Sequence, residues 1–279
     1  IGVGLVGSEM CIRDRLLAES VTQFQAQAYK ELIPSNGPVR TQVIGATTPD
    51  SDAQADRVRE FMNYQLMTVM EEYDSETDQL LFYLPLSGSA FRKVYYDQNL
   101  NRAVSRFVPA EDLIVPYATT DIYSATRITH QIEMSMNDVR KLQKAGFYRD
   151  VELSMSSMID ENYDEVKSEI DELQGIEPSY GESDTCNILE IHTELDLPNY
   201  EDLDAEGEPT GIKLPYVITL SSNSSEILSI RRNYRETDPN KKRINYFVHY
   251  KFLPGLGFYG FGLTHMIGGL SKASTSILR

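Results

Sequence analysis

Residues Leu80–Tyr117 read LLFYLPLSGSAFRKVYYDQNLNRAVSRFVPAEDLIVPY and carry the clearest structural signals in this chain of 279 residues. The apolar start predicts the end of a helix, and Ser87-Gly88-Ser89 predicts the break after it. Two strands joined by a turn at Asn99–Asn101 follow, and then a third strand. The segment therefore predicts a helix that leads directly into a set of strands, and it contains no catalytic motif.

The residues upstream predict helices. Leu16–Ile33 is a helix that ends before a proline, and Pro34–Pro49 is a loop rich in Gly, Pro and Thr. Ser51 and Gln54 have the spacing of a capping box, which predicts a second helix as far as about Tyr73. That helix carries an apolar stripe, which predicts a face buried in the core, formed by Val58, Phe61, Met62, Leu66, Val69 and Met70.

Downstream, the apolar period changes to two. Ser135 and Asp138 cap a short helix that ends at Gly146, and from Cys186 apolar and polar residues alternate, as in a strand with one wet face. Short strands in succession predict an antiparallel meander. The other predicted elements are helices at Thr77–Pro85 and Glu161–Leu173, strands at Phe91–Tyr96, Val104–Val108, Leu113–Pro116, Ile128–Met134, Leu214–Leu220 and Ile227–Ile230, and a last strand with Ile244, Tyr246, Val248, Tyr250 and Phe252 on one face. The predicted fold class is α+β, with N-terminal helices and mostly antiparallel sheets.

The two ends of the sequence give expectations of their own. Leu5–Arg15, LVGSEMCIRDR, looks like the conceptual translation of a transposon-end sequencing adapter, so residues 1–15 are left out of the fold prediction. Leu263–Arg279 has apolar residues at helical spacing and no stop signal, and we expect it to be the start of a longer helix in a longer protein. The predicted organisation is therefore 1–15, adapter; 16–262, an α+β region; and 263–279, the start of a helix.

Charge and cysteine content limit the possible functions. The formal net charge is −16, and Val151–Thr210 holds 19 acidic residues against the single Lys167. Such a segment repels phosphate, so we interpret it as a solvated flap, or alternatively as a wall that DNA passes without sticking. Cys186 is the only cysteine outside the adapter, which excludes a disulfide framework and a four-cysteine zinc site within this sequence. The sequence has no run of eighteen apolar residues, and we expect no membrane segment.

A glycine-rich stretch at Gly255–Gly260, GLGFYG, matches the dinucleotide-binding fingerprint literally. The fingerprint acts inside a parallel βαβ unit, whereas the preceding strands here are predicted to be antiparallel. We interpret the stretch as a bend where backbone packs closely beneath the rings of Phe258 and Tyr259. A nucleotide-binding enzyme remains an alternative function.

No metal or cofactor site is predicted. Asp202–Gly207 is similar to a calcium loop, but the twelfth position is Lys213 instead of Glu, so an exposed acidic hairpin loop is the better interpretation. The four histidines are far apart in sequence and are expected to be packed or at the surface: His130, His192, His249 and His265.

Two groups of residues are candidates for contacts between subunits. Basic residues cluster around a turn and predict either a phosphate-binding or acidic-partner patch, or an intersubunit pairing surface for the acidic segment: Arg231, Arg232, Arg235, Lys241, Lys242 and Arg243. Gly268 and Gly269 lie among other small residues in Thr264–Leu278 and would let neighbouring helices approach closely. The alternative for the glycines is a helix start that they weaken.

Several stretches together, in this order, resemble the portal proteins of short-tailed double-stranded-DNA bacteriophages: Leu81–Tyr96, Phe107–Pro116, Arg127–Gly146, Ile191–Asp196 and Phe258–Leu278. The resemblance covers most of the chain after residue 15. It implies a non-catalytic subunit of a dodecameric ring at one capsid vertex, through which DNA is packaged and ejected. In the layout of that family, 16–262 would be the outer wing and 263–279 the start of the stem helix.

The resemblance also implies a location and partners. The ring would be part of the virion, assembled in the cytoplasm of the bacterial host, and would contact the terminase, the scaffold and capsid proteins, a tail adaptor and DNA without sequence specificity. The resemblance implies no catalytic residue, cofactor or metal. The main alternative within the same class is another phage ring or tail-connector protein.

Overall fold

A computed structural model of the chain describes residues 15–98, 100–153, 185–203 and 206–278. The helices are α1 (Arg15–Leu32), α2 (Pro49–Tyr64), α3 (Tyr73–Ser87), α4 (Met136–Lys144) and α5 (Leu263–Leu278). The strands are β1 (Ser89–Asp97), β2 (Arg102–Val108), β3 (Leu113–Ile114), β4 (Arg127–Ser135), β5 (Thr185–Leu195), β6 (Leu214–Ser221), β7 (Ile227–Arg232) and β8 (Phe247–Lys251). These elements form two antiparallel sheets, which confirms the α+β class.

The chain divides into two compact units. Unit 1 comprises Ile1–Glu111, Thr120–Tyr123 and Asn245–Arg279. Unit 2 comprises Asp112–Thr119 and Ser124–Ile244. No helix in the described ranges has both the length and the apolar character that crossing a membrane requires.

Unit 1 is built on a three-stranded antiparallel sheet in the order β2-β1-β8. Helix α3 ends at Gly88, whose left-handed φ of 88° turns the chain straight into β1. Leu80, Leu81 and Leu84 of α3 pack with Ala90 on one face of the sheet, and α1 contributes Phe24 to the same cluster. The break after the helix was therefore predicted correctly from Ser87-Gly88-Ser89.

Carboxylates beside the sheet cover the outer edge of β2. The Oε2 of Glu76 accepts a 2.6 Å hydrogen bond from the backbone N–H of Phe107, and the Oε1 of Glu72 accepts one of 3.2 Å from Ser105. Arg102 forms a 2.7 Å ion pair with Glu72. These contacts occupy donors that an uncovered edge strand would offer to another chain.

Unit 2 contains a five-stranded sheet in the order β3-β4-β5-β6-β7, with every neighbouring pair antiparallel. The meander was therefore predicted correctly. Helix α4 begins at Ser135, whose hydroxyl accepts a hydrogen bond from the Asp138 N–H, and the left-handed Gly146 follows its end. The helix packs on the sheet through a buried cluster of Met136, Val139, Cys186, Ile188 and Leu228.

Helix α2 differs from its prediction. Its capping box lies three residues earlier, between Thr48 and Ser51, because Pro49 fits the first helical position. The helix ends at Tyr64, a π-helical turn follows at Gln65–Val69, and α3 begins separately at Tyr73. The predicted buried stripe is wrong on this helix: Val58, Phe61 and Met62 are exposed, and α2 has no buried residue in the described part of the chain. It is correct at Met70, which lies beyond the helix and is buried.

The last strand also differs. It runs from Phe247 to Lys251, so Ile244, Tyr246 and Phe252 of the predicted strand lie outside it. β8 leaves the meander and pairs with β1, opposite Phe91. Tyr250 and Phe252 pack against the same buried cluster, as residues on one face do. The predicted helix Glu161–Leu173 and residues 1–14 of the predicted adapter lie outside the described residues.

Candidate functional site

The glycine-rich stretch forms a bend between β8 and α5 in unit 1. The backbone N–H of Gly260 donates a 2.8 Å hydrogen bond to the Oγ of Ser89, which is itself buried. The Nε2 of His249 lies 3.2 Å from the same oxygen. The hydroxyl of Thr264, in the first turn of α5, donates to the carbonyl of Leu86 at 2.8 Å. Side chains and backbone thus tie the start of α5 to the end of α3.

Aromatic rings cover the sheet face of this bend. The His249 ring stacks on Phe91 with centroids 4.4 Å apart, and Phe258 lies over His249 at 4.7 Å. The pKa of His249 is lowered to about 4, mainly by burial and then by the positive charge of Lys251, while Asp121 acts in the opposite direction. Near neutral pH the ring is therefore uncharged, which suits its contacts with two apolar rings.

Three glycines make the bend possible because their backbones cross at close range. A Cβ on Gly88 would lie 2.3 Å from the N of Gly262, and one on Gly262 would lie 2.5 Å from the O of Leu86. A Cβ on Gly260 would lie 2.5 Å from the O of Gly88. A side chain at any of the three positions collides with backbone, so the interpretation of a tightly packed bend is confirmed.

The same geometry bears on the nucleotide-binding alternative. β8 pairs antiparallel with β1, so the bend does not follow the central strand of a parallel βαβ unit. A Cβ on Gly255 would lie 2.2 Å from the O of Tyr259, and Phe258 fills the space beneath the bend. Within the described residues, the fingerprint occurs without the surroundings that would place a pyrophosphate on a helix N-terminus.

The basic cluster lies in unit 2, and much of its charge is paired within the chain. Lys241 forms an ion pair with Asp202, which lowers the pKa of that carboxyl and raises the pKa of the lysine, mainly through their hydrogen bond. Arg232 pairs with Glu236. The guanidinium of Arg243 donates to the carbonyl of Ala125.

Two residues of the basic cluster are more available for contact with another molecule. Arg231 is 51 % exposed and its Nη2 lies 3.9 Å from Glu190, which makes a weak pair. Lys242 is exposed, and no carboxylate lies within 4.0 Å of its amine among the described residues. Asp202 belongs to the acidic segment, so part of the pairing between acidic segment and basic cluster occurs inside one chain. A role in subunit contact stays a prediction for Arg231, Arg232, Lys241, Lys242 and Arg243.

The contacts of the acidic loop and of the histidines are those of structural residues. Asp202 is held by Lys241 and by the Thr210 hydroxyl, and Leu203 bridges Pro209, which fits the hairpin interpretation. In the described ranges, no group of three or more His, Cys, Asp or Glu residues is arranged to hold a metal ion. His192 is buried beside Glu190 at 2.8 Å. His265 is exposed at the start of α5.

Helix α5 runs without interruption through Gly268 and Gly269. A Cβ on either glycine would meet no atom within 4 Å among the described residues, so neither glycine is needed for packing in that part of the chain. The neighbouring Met266 and Leu270 are exposed. This open face leaves space for another helix, and its use as a subunit contact stays a prediction.

Sequence reasoning missed two surfaces of unit 1. One is the exposed apolar face of α2, and the other is a groove between α1 and α3. The groove combines residues of α3 with Gln25 and Tyr29 of α1 and with Phe107 of β2, so only the packing of these elements brings its lining together.

Comparison with known proteins gave no match, either to a protein-family model or to a curated protein. The α+β architecture with its glycine bend, the charge distribution and the order of the sequence blocks therefore carry the functional argument.

Proposed function

We propose that this chain is a portal subunit, the head–tail connector of a double-stranded-DNA bacteriophage, and that it acts without catalysing a reaction. The observation that carries the proposal is the ordered resemblance of five blocks, from Leu81–Tyr96 through to Phe258–Leu278. In this proposal, residues 16–262 belong to the wing and α5 begins the stem. Copies of the subunit form a ring at one capsid vertex of the virion, through which DNA is packaged and ejected.

The fold is compatible with such a role. A portal wing requires a rigid lateral body from which a helix departs, and in unit 1 the bend at Gly260–Gly262 attaches α5 to the end of α3 through backbone and side-chain hydrogen bonds. A closed ring also requires two different surfaces that meet between neighbours. Exposed apolar side chains on α2 and on α5 supply surfaces of that kind.

Charge supports passage of DNA without sequence recognition. The acidic segment Val151–Thr210 repels phosphate, and Arg232 and Lys241 of the basic cluster are already paired in their own chain. A ring with these properties would hold few phosphate contacts in this region, so DNA would move past it with little attraction. The terminase, scaffold protein, capsid protein and tail adaptor are the proposed partners.

The direct test is to express the gene product that carries this sequence and to examine it by native mass spectrometry and negative-stain electron microscopy. We expect a ring with about twelve copies, the stoichiometry that the resemblance implies, with identical contacts between neighbours. A ring of different stoichiometry would favour another phage ring or tail connector. A stable monomer at every concentration would contradict both.

A second measurement addresses the enzyme alternative. Calorimetric titration with ATP and with NAD should show no binding, because the bend at Gly255–Gly260 is filled by Phe258 and lies after an antiparallel strand. Saturable binding that is lost in a Gly257→Trp variant would support the nucleotide-binding alternative instead. Gly257 is the suitable position because a Cβ there meets no atom within 4 Å.

A further inference from the structure

Helix α2 presents an unusual face to solvent. Val58, Phe61 and Met62 stand at positions i, i+3 and i+4 and are 47 %, 61 % and 41 % exposed. Arg57 lies one turn before Phe61 on the same side, is exposed, and has no carboxylate within 4.0 Å among the described residues. We call Arg57, Val58, Phe61 and Met62 the α2 face. A helix of 16 residues is marginal alone in water, so such a face is one that packing would stabilise.

Helices α1 and α3 of the same unit flank a shallow, open groove, the α1/α3 groove. It consists of two adjoining cavities of about 540 and 480 Å³ that share Gln25 and Asp78 in their walls. Aromatic side chains supply its apolar surface, and Phe82 is 45 % exposed there. The aromatic residues that line it are Tyr29, Phe82, Tyr83 and Phe107.

The charge of the groove is mainly negative. Asp74 and Asp78 line it, and each accepts a hydrogen bond from a neutral donor, namely the hydroxyl of Tyr29 and the Nε2 of Gln25 at 2.6 Å. No Lys or Arg nitrogen lies within 4.0 Å of either carboxylate in the described part of the chain. The hydrogen bond to Asp74 raises the pKa of Tyr29, so this phenol stays a donor. Among the described residues that line the groove, Lys30 is the one cation.

A third carboxylate extends this pattern. Glu111 accepts a hydrogen bond from the Tyr83 hydroxyl, beside the second cavity. Burial, followed by this hydrogen bond, raises the pKa of Tyr83. The groove therefore combines apolar rings with three carboxylates that have no cationic partner among the described residues. A surface that carries a cationic side chain next to apolar side chains would complement it.

We propose that the α2 face of one copy of this chain docks in the α1/α3 groove of a second copy. The inference rests on the proposed ring, in which each neighbour contact joins two different surfaces of the same chain. Val58, Phe61 and Met62 are the apolar anchors of a helix in a groove, and the rings of the groove receive them. Arg57 meets Asp74 and Asp78, which provides the charge complementarity and fixes the direction of the contact.

The test is an exchange of charge across the contact. Arg57→Glu reverses the α2 face, and Asp74→Lys with Asp78→Lys reverses the groove; all three positions are exposed. Each variant alone should self-associate at least about tenfold more weakly than the natural chain, because like charges now meet. An equimolar mixture of the two variants should recover association to within about threefold, because each reversed surface finds its complement on the other variant. Analytical ultracentrifugation measures all four samples.

Arg106→Glu is the matched control, because Arg106 is an exposed cation of unit 1 outside both surfaces and the same charge changes sign. It should leave association unchanged. Recovery in the mixture also shows that both variants are folded. A mixture that associates as weakly as each variant alone, or variants that associate like the natural chain, would overturn the inference.

The outcome separates this inference from the proposed function. A ring that still forms with Arg57→Glu would overturn the docking of α2 and leave the portal proposal standing. Paired recovery in a chain that forms only dimers would support the docking and contradict the ring. A natural chain that stays monomeric at every concentration overturns both.

Discussion

The backbone N–H of Gly260 donates a 2.8 Å hydrogen bond to the Oγ of Ser89, across 171 positions of the chain. Ser89 is the first residue of β1, and Gly260 lies just before α5. The same serine oxygen lies 3.2 Å from the Nε2 of His249 in β8. One buried hydroxyl therefore connects the end of α3, the sheet and the start of the C-terminal helix, which makes it the first position to test.

Ser89→Ala should loosen the bend. The substitution leaves the buried N–H of Gly260 without its acceptor, and a loss of this kind costs about 1–3 kcal/mol. Hydrogen exchange should show faster exchange of the amides in 255–262, with little change in unit 2. Ser75→Ala is the control, because that exposed hydroxyl bonds only to the nearby carbonyl of Glu72. Equal protection of the bend in the two variants would contradict the role of Ser89.

Gly88→Ala should destabilise unit 1 more strongly. Its φ of 88° is left-handed, and the added Cβ would lie 2.3 Å from the backbone N of Gly262. Strain and collision together should cost about 3 kcal/mol or more in the free energy of unfolding, measured by urea denaturation. Gly257→Ala in the same bend should change it by less than about 1 kcal/mol, because the new methyl group meets no atom. Similar losses in the two variants would show that the glycine crossing is not tight.

Acid should weaken unit 1 through His249. Its pKa is about 4 in the folded chain, against 6.5 for the ordinary side chain, so the unfolded chain binds more protons between these values. This contribution is fully present above about pH 6.5 and is lost as the pH falls towards 4. The loss should be about 1–2 kcal/mol, since partial exposure of the ring reduces the effect.

The measurement is the free energy of unfolding of the natural chain and of His249→Gln at several pH values from 7.5 to 4.5, roughly the window in which histidine titrates. The natural chain should lose more stability with acid than the variant does. Parallel pH profiles of the two proteins would show that the stacked ring does not carry the effect.

Lys242→Glu tests whether the basic cluster contacts a neighbouring subunit while it disturbs few contacts inside the chain. Lys241 and Arg243 are already engaged with Asp202 and Ala125, whereas the Lys242 amine has no carboxylate within 4.0 Å among the described residues. If the cluster pairs with a neighbouring subunit, Lys242→Glu should weaken self-association more than it weakens DNA binding, by about 1 kcal/mol for an exposed charge. Sedimentation and filter binding measure the two effects. The opposite ranking would favour a phosphate-binding patch.

The sequence predicted best those features that depend on residues a few positions apart. The cap of α4 at Ser135 and its end at Gly146 follow from side-chain and backbone bonding within one helical turn. The Ser87-Gly88-Ser89 break follows from a left-handed glycine. In β5 the period of two predicted the strand but not its buried face, because Cys186, Ile188 and His192 are buried on the side that was predicted to be wet. The glycine bend was also interpreted correctly, because bulky rings next to glycines conflict with a phosphate-binding turn.

Predictions failed where exposure depends on distant parts of the chain. The stripe on α2 has the spacing of a core face, but spacing shows only that a face is apolar and cannot show what packs against it. The start of the last strand was misplaced for a related reason: it begins at Phe247 instead of Ile244, because pairing with β1 defines the strand.

The sequence by itself determined the α+β class, most helix and strand positions, the concentration of negative charge in one segment and the nature of the glycine bend. Tertiary structure alone decided that β8 joins β1, that Asp202 neutralises Lys241, and that α1 and α3 form an acidic, aromatic groove. The physical reason is the separation in sequence between the interacting residues. Local structure follows from the steric and hydrogen-bonding preferences of neighbouring residues, whereas contacts between residues far apart in sequence depend on the packing free energy of the whole unit.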